Sequence, residues 1–183
     1  MIEAYLQQEA ERTALGIPAL PLTPEQTAEL GKLLEAPPAG KEEFLLHLLK
    51  ERVSPGVDPA AEVKAAFLAE IIKGTKKSPL VSKVDAVRIL GTMMGGYNVA
   101  PLVAALSDAE LADGAATALS GMTLVYDGFD QVLALSKTNA AAKRVVESWA
   151  NAEWFTKRPA VPETITVKVF KVEGEINTDD FSP

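Results

Sequence analysis

Asp58-Pro59-Ala60-Ala61-Glu62-Val63-Lys64-Ala65-Ala66-Phe67-Leu68-Ala69-Glu70-Ile71-Ile72-Lys73-Gly74 is the stretch that decides the fold class. Asp58 has the side chain of a helix N-cap, and Pro59 suits the first helical position, where its missing N–H would have had no partner. Val63, Ala66, Phe67 and Ile71 recur at i, i+3, i+4 and i+8, one face of a helix, and Gly74 terminates it. The same punctuation repeats outward in both directions. Upstream, Glu3 to Leu15 reads as a helix stopped at Gly16. Thr23-Pro24-Glu25-Gln26 combines a cap, a first-position proline and a capping box, and the helix it opens runs to about Glu35, before Pro37-Pro38. A third helix follows Gly40 with Phe44, Leu45, Leu48 and Leu49 as its apolar stripe, and Pro55-Gly56 breaks it.

Downstream, Ser82 opens a helix with Val84, Val87, Leu90 and Met94 inward, ending at Gly95-Gly96. Asn98 caps a short helix bearing Val99, Leu102, Val103 and Leu106. Asp108 caps another through about Leu119, and two more span Leu124 to Leu135 and Ala140 to Phe155. Helices of roughly 10 to 15 residues are marginal alone and gain stability by stacking. Antiparallel pairs of this kind predict a mainly α protein with a HEAT-like helical solenoid. PLVAALSDAELADGAATAL resembles one such turn, but no second copy matches it closely, so an irregular helical bundle satisfies the same pattern.

After Pro159 the period changes. Ile165, Val167 and Val169 alternate with Thr166, Lys168 and Phe170, which predicts a β-strand ending at Gly174. One strand needs a partner for its backbone groups. The expected organisation is therefore a helical domain over residues 1–158, then a linker, strand and loop over 159–183 that begin a second, truncated domain. The composition of the 183 residues is 48% hydrophobic and 23% charged, which suits a chain with a core. There is no cysteine, hence no disulfide, thiol nucleophile or thiolate ligand. A net charge of -7 speaks against wholesale nucleic-acid binding. The start lacks a signal-peptide pattern and no apolar run approaches the ~18 residues of a membrane span, so a soluble, cytoplasmic protein with no membrane partner is expected.

Few residues point to chemistry. His47, the single histidine, lies one residue off the Phe44/Leu48 stripe and reads as a surface or boundary residue. Glu42 and Glu43 complement a helix dipole. Asp113, Asp127 and Asp130 have no basic partner at a telling spacing. Met93-Met94-Gly95-Gly96-Tyr97-Asn98 lacks any phosphate-cradling frame and reads as a helix-ending turn, with Tyr97 a possible contact. Lys73, Lys76, Lys77 and Lys83 form the one local basic patch, able to touch an acidic partner or RNA, although no aromatics interleave to stack bases. Trp149, Trp154 and Phe155 suit packing on a neighbouring helix or domain. No metal site is expected. Asn177-Thr178-Asp179-Asp180, after the strand, is a polar turn able to present hydroxyl and carboxylate groups.

At these residues the sequence resembles a known family. VKVFKVEGEINTDDFSP looks like the opening of the swivelling domain of the aconitase superfamily. PPAGKEEFLLHLLKERVSPGVD, VKAAFLAEI, ILGTMMGGYNVAPLVAAL and SWANAEWFTKRPA resemble its bacterial branch, in which a HEAT-like domain directly precedes the swivelling domain. The resemblance covers essentially the whole chain. It implies the amino-terminal part of an enzyme that interconverts citrate and isocitrate through cis-aconitate and also hydrates 2-methyl-cis-aconitate. It implies a 4Fe–4S cluster held by three cysteines in later domains, with no catalytic residue here. Thr178, Asp179 and Asp180 would belong to a loop approaching the active-site cleft; many members carry Thr-Asp-His there. For the helical region the resemblance implies contacts with the remaining domains, dimerisation, neighbouring metabolic enzymes, and RNA binding by the cluster-free form. A self-contained helical scaffold that binds another protein, or an RNA-binding regulatory module, are the alternatives.

Overall fold

The computed structural model describes residues 1–157, 159–169, 171 and 174. Ten helices follow in order among them: α1 Ile2–Ala14, α2 Pro24–Glu35, α3 Glu42–Glu51, α4 Pro59–Lys73, α5 Lys83–Leu90, α6 Val99–Ala105, α7 Ala112–Ser120, α8 Gly128–Leu135, α9 Ala140–Ala150 and α10 Glu153–Thr156. The chain divides into two compact units, Met1–Leu20 with Val161–Pro183, and Pro21–Ala160. In the first, α1 ends at Gly16 in a left-handed conformation (φ 74°). The Gln8 side chain there bonds both backbone groups of Leu20, and Arg12 donates to the Pro18 carbonyl.

In the second unit the predicted start signals operate as chemistry. Thr23 accepts from the Gln26 N–H at 3.2 Å while the Gln26 side chain accepts from the Thr23 N–H at 3.0 Å, a complete capping box. Ser82 and Asp85 form a second one. Asp58 accepts from the Ala60 N–H at 2.7 Å, and Gly74 closes α4 in the left-handed region at φ 78°. Principal packing partners lie one or two helices along the chain: α2 on α3 and α4, α4 on α5 and α6, α5 on α7, α6 on α7 and α8, and both α7 and α8 on α9. The core is built from leucines and alanines of these faces, including Leu30, Leu34, Leu45, Leu48, Leu68, Leu90, Leu102 and Leu119.

Side chains from later segments finish the ends of earlier helices. The carbonyls of a last helical turn have no partner within their helix. Ser78 donates to the Leu34 carbonyl of α2, Asn98 to Leu90 of α5 and to Met93, Asn139 to Leu106 at the end of α6, and the Trp149 indole to Leu119 of α7. Asn139 also caps α9 by accepting from the Ala142 N–H.

Several expectations are corrected. Asn98 does not cap α6; its buried amide serves α5 instead. Asp108 caps only its own turn, accepting from Glu110, and α7 starts at Ala112. The segment before α8 is a turn with Tyr126 at φ 47°, so α8 begins at Gly128. Ala152 at φ 51° divides the expected helix Ala140 to Phe155 into α9 and α10. Met93 is buried where Met94 was expected, because α5 stops at Leu90, and Val84 and Ala66 face solvent. The described residues of the predicted strand, 164–169, form no ladder, and Ile165, Val167 and Val169 are exposed. A ladder needs a second strand, and there is none among the described residues.

The Pro55–Val57 and Met93–Tyr97 loops meet backbone to backbone. The Met94 N–H donates to the Pro55 carbonyl at 2.7 Å. A Cβ on Gly95 would lie 2.0 Å from the Gly56 oxygen, so only glycine fits. Gly95→Ala is expected to destabilise the chain by about 1–3 kcal/mol in urea unfolding, the usual cost of overpacking. Lys64 is the charged side chain at the centre of the α4 inner face, only 2% exposed. Burial lowers its pKa to about 8, against a smaller opposing pull from Glu51. Charged Lys64 therefore penalises the folded state fully below pH 8, and the penalty fades as pH rises from about 8 towards the unfolded value of 10.5. Lys64→Met should stabilise by up to about 3 kcal/mol at pH 7, with the gain shrinking across that window in pH-dependent denaturation.

Candidate functional site

Three places hold the features that the sequence singled out. The first is the basic loop after α4. Lys73 and Lys77 are exposed, and the Lys83 side chain folds over Gly74, 4.0 Å from where its Cβ would stand. Lys83 is thus brought back to the end of α4, next to Lys73. Lys76 is differently engaged. Its ammonium bridges Glu35 and Glu70, each at 3.3 Å, and sits 5.6 Å from the Phe67 ring centroid. Partial desolvation opposes its charge, but the two carboxylates outweigh that and raise its pKa. Lys76 is a staple between α2 and α4 rather than an open cation.

The second place is a cleft of about 760 Å³ between α5 and α7, within the range of small-ligand pockets. Its floor follows from small residues. A Cβ on Gly91 would stand 3.0 Å from that of Ala118, and one on Gly114 would stand 3.3 Å from Val87, so the helices approach closely there. Val84, Met94, Met122 and Leu124 supply apolar walls, and Arg88 and Thr117 the polar edge. Arg88 is held by Asp85 at 2.8 Å, whose carboxyl the Ser82 hydroxyl keeps below the usual range. The sequence reading missed this cleft, since it placed Leu124 on a helix and Met94 in the core. Glycines at Gly91 and Gly114, inside two helical segments, were the available signal for close approach.

The third place is the α7–α9 edge. Asp113, expected to lack a basic partner, pairs with Arg144 across 31 positions of sequence. Trp149 stacks on Phe129 at 5.9 Å, whereas Trp154 and Phe155 pair with each other and remain exposed. Tyr97 reaches the Val57 carbonyl at 3.3 Å. His47 is exposed on α3, apart from any of these clusters. Thr178, Asp179 and Asp180 lie outside the described residues. Among the described residues no group of three or more His, Cys, Asp or Glu is placed to hold a metal ion, and no helix is long and apolar enough to cross a membrane.

Comparison with known proteins adds what the geometry alone does not carry. Residues 4–155 match the family model described as the aconitate B N-terminal domain. Over its whole length the chain is 55% identical to aconitate hydratase B of Pseudomonas aeruginosa and 56% identical to aconitate hydratase B of Escherichia coli K12, covering 21% of each of those proteins. Against aconitate hydratase B of Helicobacter pylori it is 47% identical, covering 22% of that protein. The chain therefore spans about a fifth of the length of these relatives. With the match running through all of α2 to α9, the chain belongs to the aconitate B N-terminal domain family.

Proposed function

We propose that this chain is the amino-terminal helical domain of a longer cytoplasmic aconitate hydratase, a hydro-lyase that interconverts citrate and isocitrate through cis-aconitate and hydrates 2-methyl-cis-aconitate. The observation that carries the reading is identity of about one residue in two, across the full chain, with several bacterial aconitate hydratases B. In this reading the helical domain, residues 1–158, is a HEAT-like antiparallel solenoid; within Pro21–Ala160 this is supported by helices whose main partners lie one or two places along the chain. Residues 159–183 begin the swivelling domain, and the exposed Ile165, Val167 and Val169 pair as a strand with sheet residues further along the polypeptide. Thr178, Asp179 and Asp180 then belong to its cleft-facing loop.

The family's 4Fe–4S cluster does not fit the residues present. The chain has no cysteine, and the described acids form no metal-holding group. The cluster belongs to later domains, and no catalytic step is assigned here. What this region contributes is protein contact, with the other domains, with a second copy or with neighbouring enzymes. The exposed apolar Met94, Leu124 and Tyr126 support such a role.

A second reading, RNA binding, is favoured by Lys83 folding back over Gly74 beside Lys73, with Lys77 exposed in the same loop and Lys76 mostly neutralised. Replacing the three by glutamate should abolish RNA retention and its steep salt dependence in filter binding; unchanged retention removes this reading. For the main reading, the 183-residue chain should show no turnover of citrate or cis-aconitate, while the longer protein, isolated anaerobically, turns over both. Deleting residues 1–158 from the longer protein should leave the cluster absorbance and abolish self-association in sedimentation. Iron-independent hydration of cis-aconitate by the chain alone would sink the proposal.

A further inference from the structure

Three of the chain's four methionines, Met93, Met94 and Met122, gather at the α5–α7 cleft, in a protein with no cysteine. They differ in exposure. Met94 is 72% exposed, Met93 is 3% exposed, and Met122 is half-buried on the cleft wall. They also differ in what their sulfur does. The Met122 sulfur lies 3.8 Å from the Asn98 amide nitrogen, which donates at 2.8 Å to the Leu90 carbonyl and at 2.9 Å to the Met93 carbonyl. Two amide hydrogens are thus shared among three acceptors, and the weakest of them is the thioether. Asn98 is 1% exposed, and its own carbonyl anchors the first turn of α6 by accepting from the Leu102 N–H.

We propose that Met122 is a site of reversible oxidation, whose conversion from thioether to sulfoxide releases the loop joining α5 to α6. Hydrogen peroxide small enough to enter the cleft is the oxidant. A sulfur lone pair attacks one peroxide oxygen, the S–O bond forms as the O–O bond breaks, and the remaining oxygen leaves as water after proton transfer. Sulfur is oxidised and peroxide reduced. Sulfoxide reductases return the oxygen to water at the expense of two thiols, which become a disulfide. The sulfoxide oxygen is a far stronger acceptor than the thioether. It draws the Asn98 amide from the Leu90 and Met93 carbonyls and adds a polar group to a wall of the cleft. The α5 C-terminus and the first turn of α6 lose their common fastening.

The test uses the full chain treated with graded hydrogen peroxide. Peptide mapping should find Met94 oxidised first, Met122 next and Met93 protected. In a Met94→Leu background, oxidation should accelerate hydrogen exchange at the Val99 and Leu102 amides about fivefold, the equivalent of one lost hydrogen bond. Treatment with methionine sulfoxide reductases should restore the original rates. The double variant Met94→Leu/Met122→Leu, which keeps side-chain volume, should show no such response to peroxide. The proposal is overturned if Met122 stays reduced when Met94 is fully oxidised. It is equally overturned if Met122 sulfoxide leaves exchange at Val99 and Leu102 unchanged.

Discussion

A carbonyl at the end of a short helix must find a donor, and in this protein the donor comes from a segment further along the chain. Helices of 7 to 15 residues make up the Pro21–Ala160 unit apart from the single turn α10, so helix ends are a large share of its backbone. Water can satisfy such ends at the surface, but those of α2, α5, α6 and α7 are met by Ser78, Asn98, Asn139 and Trp149. Three of these bonds tie a helix to an element beyond its immediate loop, and the fourth, from Asn98, ties α5 to the start of α6. Apolar packing supplies most of the stabilisation, while these directed bonds select which neighbour it is made with.

Close approach is the second determinant. Gly95 lets two loops touch through their backbones, Gly91 and Gly114 let α5 and α7 touch, and Gly128 accommodates Val99 of α6. Where the helices draw together on glycine and alanine, larger residues at the margins diverge, and the cleft bounded by Val84, Met94 and Leu124 results. The cleft and the tight packing are thus two sides of one arrangement of side-chain sizes.

What could be read from the sequence was whatever a few adjacent residues decide. Thr23 with Gln26, Asp58 with Pro59, and Gly74 place helix boundaries through contacts within a turn, and all three are found where expected. Asn98 was misread because an asparagine before a helix looks the same whether its amide caps forward or reaches back to Leu90. The choice depends on a buried turn formed only in three dimensions. Lys76 looked like part of an open patch until Glu35, on another helix, closed over it. Alternation at Ile165, Val167 and Val169 signals strand preference, but a preference needs a neighbouring strand to become a ladder. The candidate site was legible only as a list of lysines and a polar turn. The cleft between α5 and α7 was not, since its walls come from segments about 30 residues apart.

The spacing of the helix-end bonds has a consequence for synthesis. Leu34 is served by a residue 44 positions later, Leu106 by one 33 later, Leu119 by one 30 later and Leu90 by one only 8 later. All four run in the same direction, from an earlier carbonyl to a later side chain. During translation each of these helices emerges before the group that completes it, so the growing chain carries a succession of unfinished ends. With partners near in sequence, each waits only for the next few dozen residues, and ordering advances behind the ribosome as a moving front.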